Sequence, residues 1–266
     1  VSHEPAVIPA VIFETRESIA FVRLNRPAKR NALTRRMLEE LGQAFERIEE
    51  ERDHLRAVIL TGTGETAFCA GTDIEELSTL DVEAAREAAA RGQRVCDSIE
   101  QSSVPVICAV NGIAAGGGCE LALACHLRVG STTSQFTLPE TKLGVIPAYG
   151  GTQRLARIIG TGRAYSVMLA GEGLCAEEAQ RLGLLNLVVE GAQLLHEAES
   201  LARAISRHAP LAIRACLKAV TRGLELSLEE GLALEAELFS RLFATADMRE
   251  GTRAFLEKRD PVFEGK

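Results

Sequence analysis

Between Val104 and Glu140 the chain reads VPVICAVNGIAAGGGCELALACHLRVGSTTSQFTLPE, and no other stretch limits its possible folds as tightly. The run VPVICAV has the composition of a buried strand, Asn111-Gly112 turns it, and Gly116, Gly117 and Gly118 then open a short apolar helix that carries Glu120. Three successive glycines leave the main chain bare, so a ligand can reach the N–H groups that the first helical turn leaves unpaired. Such a site polarises an oxygen. Gly117 and Glu120 lie three residues apart and so point to the same side of a helix. Glu140 ends the strand-like QFTLPE, where Pro139 fixes the backbone just ahead of it. A second glycine cluster follows at Gly150 and Gly151. Two glutamates and a main-chain N–H make a candidate acid/base site.

The rest of the chain alternates strands and helices. Residues 10–24 are two β-rich runs broken by Arg16-Glu17-Ser18, which predicts a hairpin. From Thr34, a good N-cap, Met37, Leu38, Leu41, Phe45 and Ile48 recur at helical spacing to about Glu51. RAVILT (56–61) reads as a buried strand, and a loop rich in small residues follows it. A long helix from about Val82 to Gln101 leads to VPVICAV. Helices are also expected over 152–159 and 177–182, with the apolar LLNLVV after them. Strand and helix in alternation predict an α/β fold with parallel pairing and helices packed outside. After about Gly191 three helical stripes follow one another: Leu194 to Ile205, Pro210 to Val220, and Leu228 to Phe243. A last helical segment runs from Met248 to Arg259. Faces of this kind must pack on the first domain or on another subunit. The expected division is 1–200 and 201–266.

Composition excludes several classes. At 266 residues and 46% hydrophobic content the chain has ample core, and its net charge of -7 argues against a general nucleic-acid surface. Seven cysteines form no C-x-x-C pair and sit mostly in apolar runs, the pattern of free thiols in a reducing, cytoplasmic setting. The five histidines show no ligand spacing, so no metal is expected. No apolar run approaches the roughly 20 residues of a membrane span, and no basic-then-apolar leader opens the sequence. The chain begins at Val1 rather than Met, which leaves a removed transit segment, and with it a mitochondrial matrix location, open. GTGETA (62–67) loosely matches a dinucleotide fingerprint, but the following Phe68-Cys69-Ala70-Gly71 opens no helix.

FCAGTDIEEL, VNGIAAGGGCELALAC, FTLPETKLGVIP and YGGTQRL occur in this order and at separations that resemble the enoyl-CoA hydratase branch of the crotonase superfamily. The resemblance runs from LNRPAKRNAL near residue 24 to FLEKRDPVF at the C-terminus. It implies a spiral of repeated ββα units with a helical C-terminal region that trimerises, trimers commonly pairing into hexamers. By the same resemblance Glu120 and Glu140 are the catalytic glutamates, and Thr72 and Gly117 supply the N–H groups of an oxyanion hole. Contacts to coenzyme A fall at Lys29, Arg30, Ala70, Asp73 and Ile74, with Phe239 and Lys258 reaching a neighbouring subunit's ligand. The implied substrate is an acyl-CoA, and no separate cofactor is implied because coenzyme A belongs to the substrate.

The chemistry fits those residues. Adding water across an α,β-unsaturated thioester builds negative charge on the thioester oxygen, and loss of one preorganised donor to such an oxygen costs ~3 kcal/mol in other enzymes. Two nearby carboxylates have their pKa values pushed apart, which suits one base and one acid, though the sequence leaves open which is which. Four positions depart from the commonest family pattern: Thr72 for alanine, Glu75 for lysine, Ala148-Tyr149 for Gly-Ala, and His126 for aspartate. Tyr149 either narrows the acyl pocket or packs behind it, and His126 reads as structural. An enoyl-CoA isomerase is the nearest rival, but family isomerases typically dispense with the first glutamate. A hydratase-like RNA-binding protein is the rival of another class; the acidic charge and the lack of an aromatic-basic stripe weigh against it.

Overall fold

A computed structural model describes residues 8–266; the first seven, with His3 and the start of the expected N-terminal domain, lie outside the described residues. The hairpin forms where the turn residues place it: β1 (Val11–Arg16) pairs antiparallel with β2 (Ile19–Leu24). α1 (Arg35–Glu50) starts where Thr34 Oγ1 accepts a hydrogen bond from Met37 N at 3.2 Å. It buries the five apolar positions that the spacing selects.

Beyond α1 the chain winds between two sheets. β3 (Ala57–Gly62) joins the larger sheet and β4 (Ala67–Cys69) the smaller, before α2 (Ile74–Leu77) and α3 (Val82–Glu100). β5 (Val106–Val110), β6 (Ile113–Ala115) and α4 (Gly117–Ala124) repeat the step. β7 (Leu127–Ser131) and β8 (Gln135–Thr137) repeat it again, ahead of α5 (Gly151–Ile159) and α6 (Thr161–Tyr165). β9 (Leu174–Cys175), α7 (Ala176–Arg181) and β10 (Leu187–Val189) close the spiral. The larger sheet has the order β1-β2-β3-β5-β7-β10, parallel throughout except for the hairpin, and the smaller has β4-β6-β8-β9.

Strands β3 and β5 are apolar almost end to end because both faces of the larger sheet are covered. On one side α1, α3 and α4 enclose the main core. On the other, α8 (Leu194–Ser206) lays Leu194, Ala198 and Ala202 against Phe21, Ile59, Ile107 and Val129. The boundary expected near residue 200 falls inside α8, whose packing on the sheet continues through Ala202. α9 (Pro210–Gly223), α10 (Leu228–Leu242) and α11 (Ala246–Glu257) follow, and α10 packs on α9 with no residue of its own buried. Leu228 (80% exposed), Phe239 (62%) and Phe255 (83%) carry the stripes read from the sequence into solvent.

His126 is structural, as its sequence context implies. Val106 N donates to Nδ1 at 2.9 Å and Nε2 lies 3.1 Å from the Glu100 carbonyl oxygen, so the ring is neutral with its proton on Nε2. Burial lowers its pKa below the ordinary histidine value. The unfolded chain therefore binds a proton from about pH 6.5 that the folded chain refuses, and the stability present above that pH is lost as pH falls below it. Thermal melts between pH 7 and 5 should show a shallower loss of Tm in His126→Gln than in the wild type.

Candidate active site

Three parallel strands of the smaller sheet deliver their C-terminal ends to one edge: β4 runs into Ala70–Thr72, β6 into Gly116 and Gly117, and β8 into Pro139 and Glu140. The loops touch. Gly71, at φ +95°, would place a Cβ 2.8 Å from the Ala115 carbonyl oxygen, and Gly116 N donates to Thr137 O at 2.9 Å. Gly116 adopts φ 50°, ψ -127°, a conformation only glycine takes without strain. Leu33 N bonded to Gly71 O (2.8 Å) and Asp73 N bonded to Leu33 O (2.9 Å) hold Thr72 from the outside. Among the described residues the N–H groups of Thr72 and Gly117 donate to no protein acceptor. Two idle donors thus stand at adjoining strand ends.

Glu120, in the first turn of α4 and 2% exposed, is gripped by main chain. Its Oε1 accepts from Tyr149 N at 2.8 Å and from Gly151 N at 2.7 Å. A Cβ on Gly151 would lie 2.9 Å from that same oxygen, so the glycine is there for the approach. Arg154 secures the loop: Nη1 donates to Tyr149 O (3.0 Å), and Nη2 pairs with Asp97 (2.7 Å) and Glu100 (2.6 Å) on α3. Burial raises the Glu120 pKa, and the two N–H bonds partly oppose it.

Glu140 opens a short 3-10 turn, Glu140–Leu143, with Oε1 3.0 Å from where a Gly116 Cβ would stand. Its Oε2 is buried with no hydrogen-bond partner. Burial first, and then the negative charge of Glu120, push its pKa up to about 7, against the pull of its own N–H. The two carboxylates are therefore electrostatically coupled and unlike: one is tied, the other half protonated near neutrality.

The remaining expected positions divide. Lys29, Arg30, Ala70, Asp73 and Ile74 gather beside Thr72. Ala70 N donates to Arg30 O at 2.9 Å, and Lys29 Nζ lies 3.2 Å from Glu75 on the surface, so the acidic departure at 75 faces a neighbouring cation. Asp73 is buried and engaged by its own fold: it accepts from Arg26 Nη1 at 2.5 Å and caps α2 through Glu75 N at 3.0 Å. Ile74 is exposed. Phe239 stacks edge-on against Phe243 on α10, and Lys258 ends α11 in a left-handed conformation; no hydrogen bond among the described residues joins either to this cluster. Sequence reasoning missed three supports: the N–H clamp on Glu120, Arg154, and buried Asn31. The Asn31 amide donates to Thr63 O (2.9 Å), Ala67 O (3.1 Å) and Phe68 O (3.1 Å), fastening the 26–33 loop to β4. Only the second glycine cluster hinted at the clamp.

A two-sheet ββα spiral with paired glutamates beside paired free N–H groups defines a crotonase-type protein. A profile of the family described as enoyl-CoA hydratase/isomerase matches residues 14–266, and the chain belongs to that family. Within it the chain falls in the hydratase branch. It is 40% identical over 249 residues to the short-chain-enoyl-CoA hydratase of Clostridium acetobutylicum, covering 94% of this chain and 95% of that one. It is 40% identical over 256 residues to the crotonyl-CoA hydratase of Syntrophomonas wolfei, covering 96% and 98%. The crystal structure of an enoyl-CoA hydratase from Bacillus anthracis superposes with a TM-score of 0.93 at 38% identity, covering 97% of this chain and all of that one.

Glu140 carries a stability cost with a definite sign. Its folded pKa lies above the unfolded value, so the folded state is favoured while the group is protonated and loses stability as pH rises from about 4.5 through about 7. Glu140→Gln should raise Tm at pH 8 by roughly 2–4 °C, a gain that shrinks toward pH 5 in parallel melts. Gly116→Ala should destabilise by about 1–3 kcal/mol in urea titrations, since the added Cβ meets both a disallowed φ and the Glu140 carboxyl.

Proposed function

We propose that this chain adds water reversibly to a 2-enoyl-CoA thioester and gives a 3-hydroxyacyl-CoA, with coenzyme A as part of the substrate and neither metal nor redox cofactor in the step. The observation that carries this reading is the inequality of the two glutamates beside two unused N–H donors. The thioester oxygen accepts from the N–H groups of Thr72 and Gly117, which stabilise the enolate charge as it forms. Glu120, fixed through Oε1, keeps Oε2 for a water. Its charge is held by the two main-chain N–H groups while burial raises its pKa, so it stands ionised beside a protonated Glu140 and can take a proton from that water. The water oxygen bonds to the β-carbon and its proton passes to Glu120, while the proton of Glu140 passes to the α-carbon. Return of the first proton to Glu140 resets the site.

The isomerase rival needs a single carboxylate to move one proton, and the elaborate grip on Glu120 has no use in it. An RNA-binding role finds no support in a net charge of -7. The exposed apolar stripes of α10 and α11 support a homotrimer or homohexamer, in which Phe239 and Lys258 would approach a neighbour's ligand. Five buried free thiols support a reducing, cytoplasmic location. No helix among the described residues is long and apolar enough to cross a membrane.

Purified protein mixed with crotonyl-CoA should bleach the enoyl thioester absorbance. Glu120→Gln and Glu140→Gln should each slow the bleaching by roughly 10²–10⁴-fold while both still bind a CoA ester; a wild-type rate in either variant would refute the paired-carboxylate step. Because Glu140 must hold a proton to give one, kcat/KM for hydration should fall as pH rises above about 7, measured across pH 6 to 9.

A further inference from the structure

Tyr149 departs from the family pattern, the reaction just described uses its N–H but not its side chain, and that side chain lies against Thr72 and Gly117. It is 5% exposed. Its ring is seated between two helices in sockets that only glycine provides. A Cβ on Gly92 of α3 would stand 2.1 Å from the ring Cδ1, and a Cβ on Gly117 of α4 would stand 2.9 Å from Cε2. Gly92 occupies the interior of a regular helix and does not have a positive φ, so the backbone has no need of glycine there. A glycine in that position costs about 1 kcal/mol against alanine, and the ring is what the missing side chain accommodates. At its far end the phenol oxygen accepts a hydrogen bond from Thr72 Oγ1 at 3.2 Å, while its own N–H holds Glu120.

One residue therefore touches the Thr72 side chain, the Gly117 backbone position and Glu120. A thioester with its oxygen on the Thr72 and Gly117 donors and its β-carbon at the Glu120 water would have this ring beside the rest of its acyl chain. We propose that Tyr149 sets the upper limit on acyl length, closing the pocket just beyond the β-carbon so that the chain takes enoyl thioesters of about four carbons and rejects long ones. The ring is hard to displace because the Gly92 and Gly117 sockets, burial and the Thr72 hydroxyl hold it together. This rests on the hydratase reading and deepens it.

The test compares kcat/KM for crotonyl-CoA and trans-2-octenoyl-CoA in the full chain. The wild type should prefer crotonyl-CoA. Tyr149→Ala should raise the octenoyl-to-crotonyl ratio by at least about tenfold, since each methylene admitted to an apolar pocket changes kcat/KM by about 10-fold or more. Tyr149→Phe, which keeps the ring and loses only the hydroxyl, should leave the ratio at its wild-type value. Gly92→Ala, which drives the ring toward Gly117, should lower kcat/KM for crotonyl-CoA without raising the ratio. If Tyr149→Ala does not fold by circular dichroism, Tyr149→Leu gives the same reading with more of the core volume kept. A ratio within twofold of wild type in the folded alanine or leucine variant would show that the ring packs behind the pocket and would overturn the length limit. Octenoyl-CoA turned over by the wild type as fast as crotonyl-CoA would also sink the limit while leaving the hydratase reading intact. A wild type that turns over neither thioester sinks that reading, and the limit with it.

Discussion

The grip of two main-chain N–H groups on the Glu120 carboxylate is the contact on which the rest of the site depends. A carboxylate this deeply buried loses its hydration, and only direct hydrogen bonds make its charge tolerable. Those bonds need residues 149 to 151 to double back over α4, which in turn needs a left-handed Gly150 and a Gly151 without a Cβ. Arg154 then ties the loop to two acids of α3, so the orientation of the Glu120 carboxylate is set by three separate turns of the spiral.

The smaller sheet does for the backbone what this clamp does for the side chain. Because β4, β6 and β8 are parallel neighbours, their ends arrive side by side, and each contributes a different piece: an N–H from residue 72, an N–H from residue 117, a carboxyl from residue 140. Main-chain donors held by sheet geometry need little reorganisation when charge appears on a substrate oxygen. The arrangement is costly to the fold. Glu140 keeps a buried oxygen without a partner, and Glu120 adds like charge beside it, a cost that sets the two carboxyl groups apart in their hold on a proton.

Legibility in the sequence followed the strength of the local signal. α1 and α3 were readable because an amphipathic helix repeats its apolar positions many times, and the hairpin because a polar break separates two β-rich runs. β4 and β6 have three residues each and β7 ends in small and polar ones, too little for any period to register. A division near residue 200 read from the apolar stripes runs through α8, which carries the same kind of stripe as the helices after it; only the sheet beneath Ala198 and Ala202 distinguishes them. Nothing in the local sequence around Asp73 shows that its carboxylate is engaged by Arg26, forty-odd residues earlier, as well as by the start of α2.

By itself, the sequence determined the identity of the two acids, the bare helix start at Gly116 to Gly118 and the alternation of strand with helix, because each is written in contiguous residues. Only the tertiary structure decided how these parts differ in use. Which glutamate is tied and which is left to hold a proton depends on Tyr149 and Gly151, some thirty residues beyond Glu120, and on the dry space that folding makes around them. The place of the tyrosine ring was likewise settled in three dimensions, since Gly92 and Gly117, the two positions that make room for it, come together only when α3 and α4 pack.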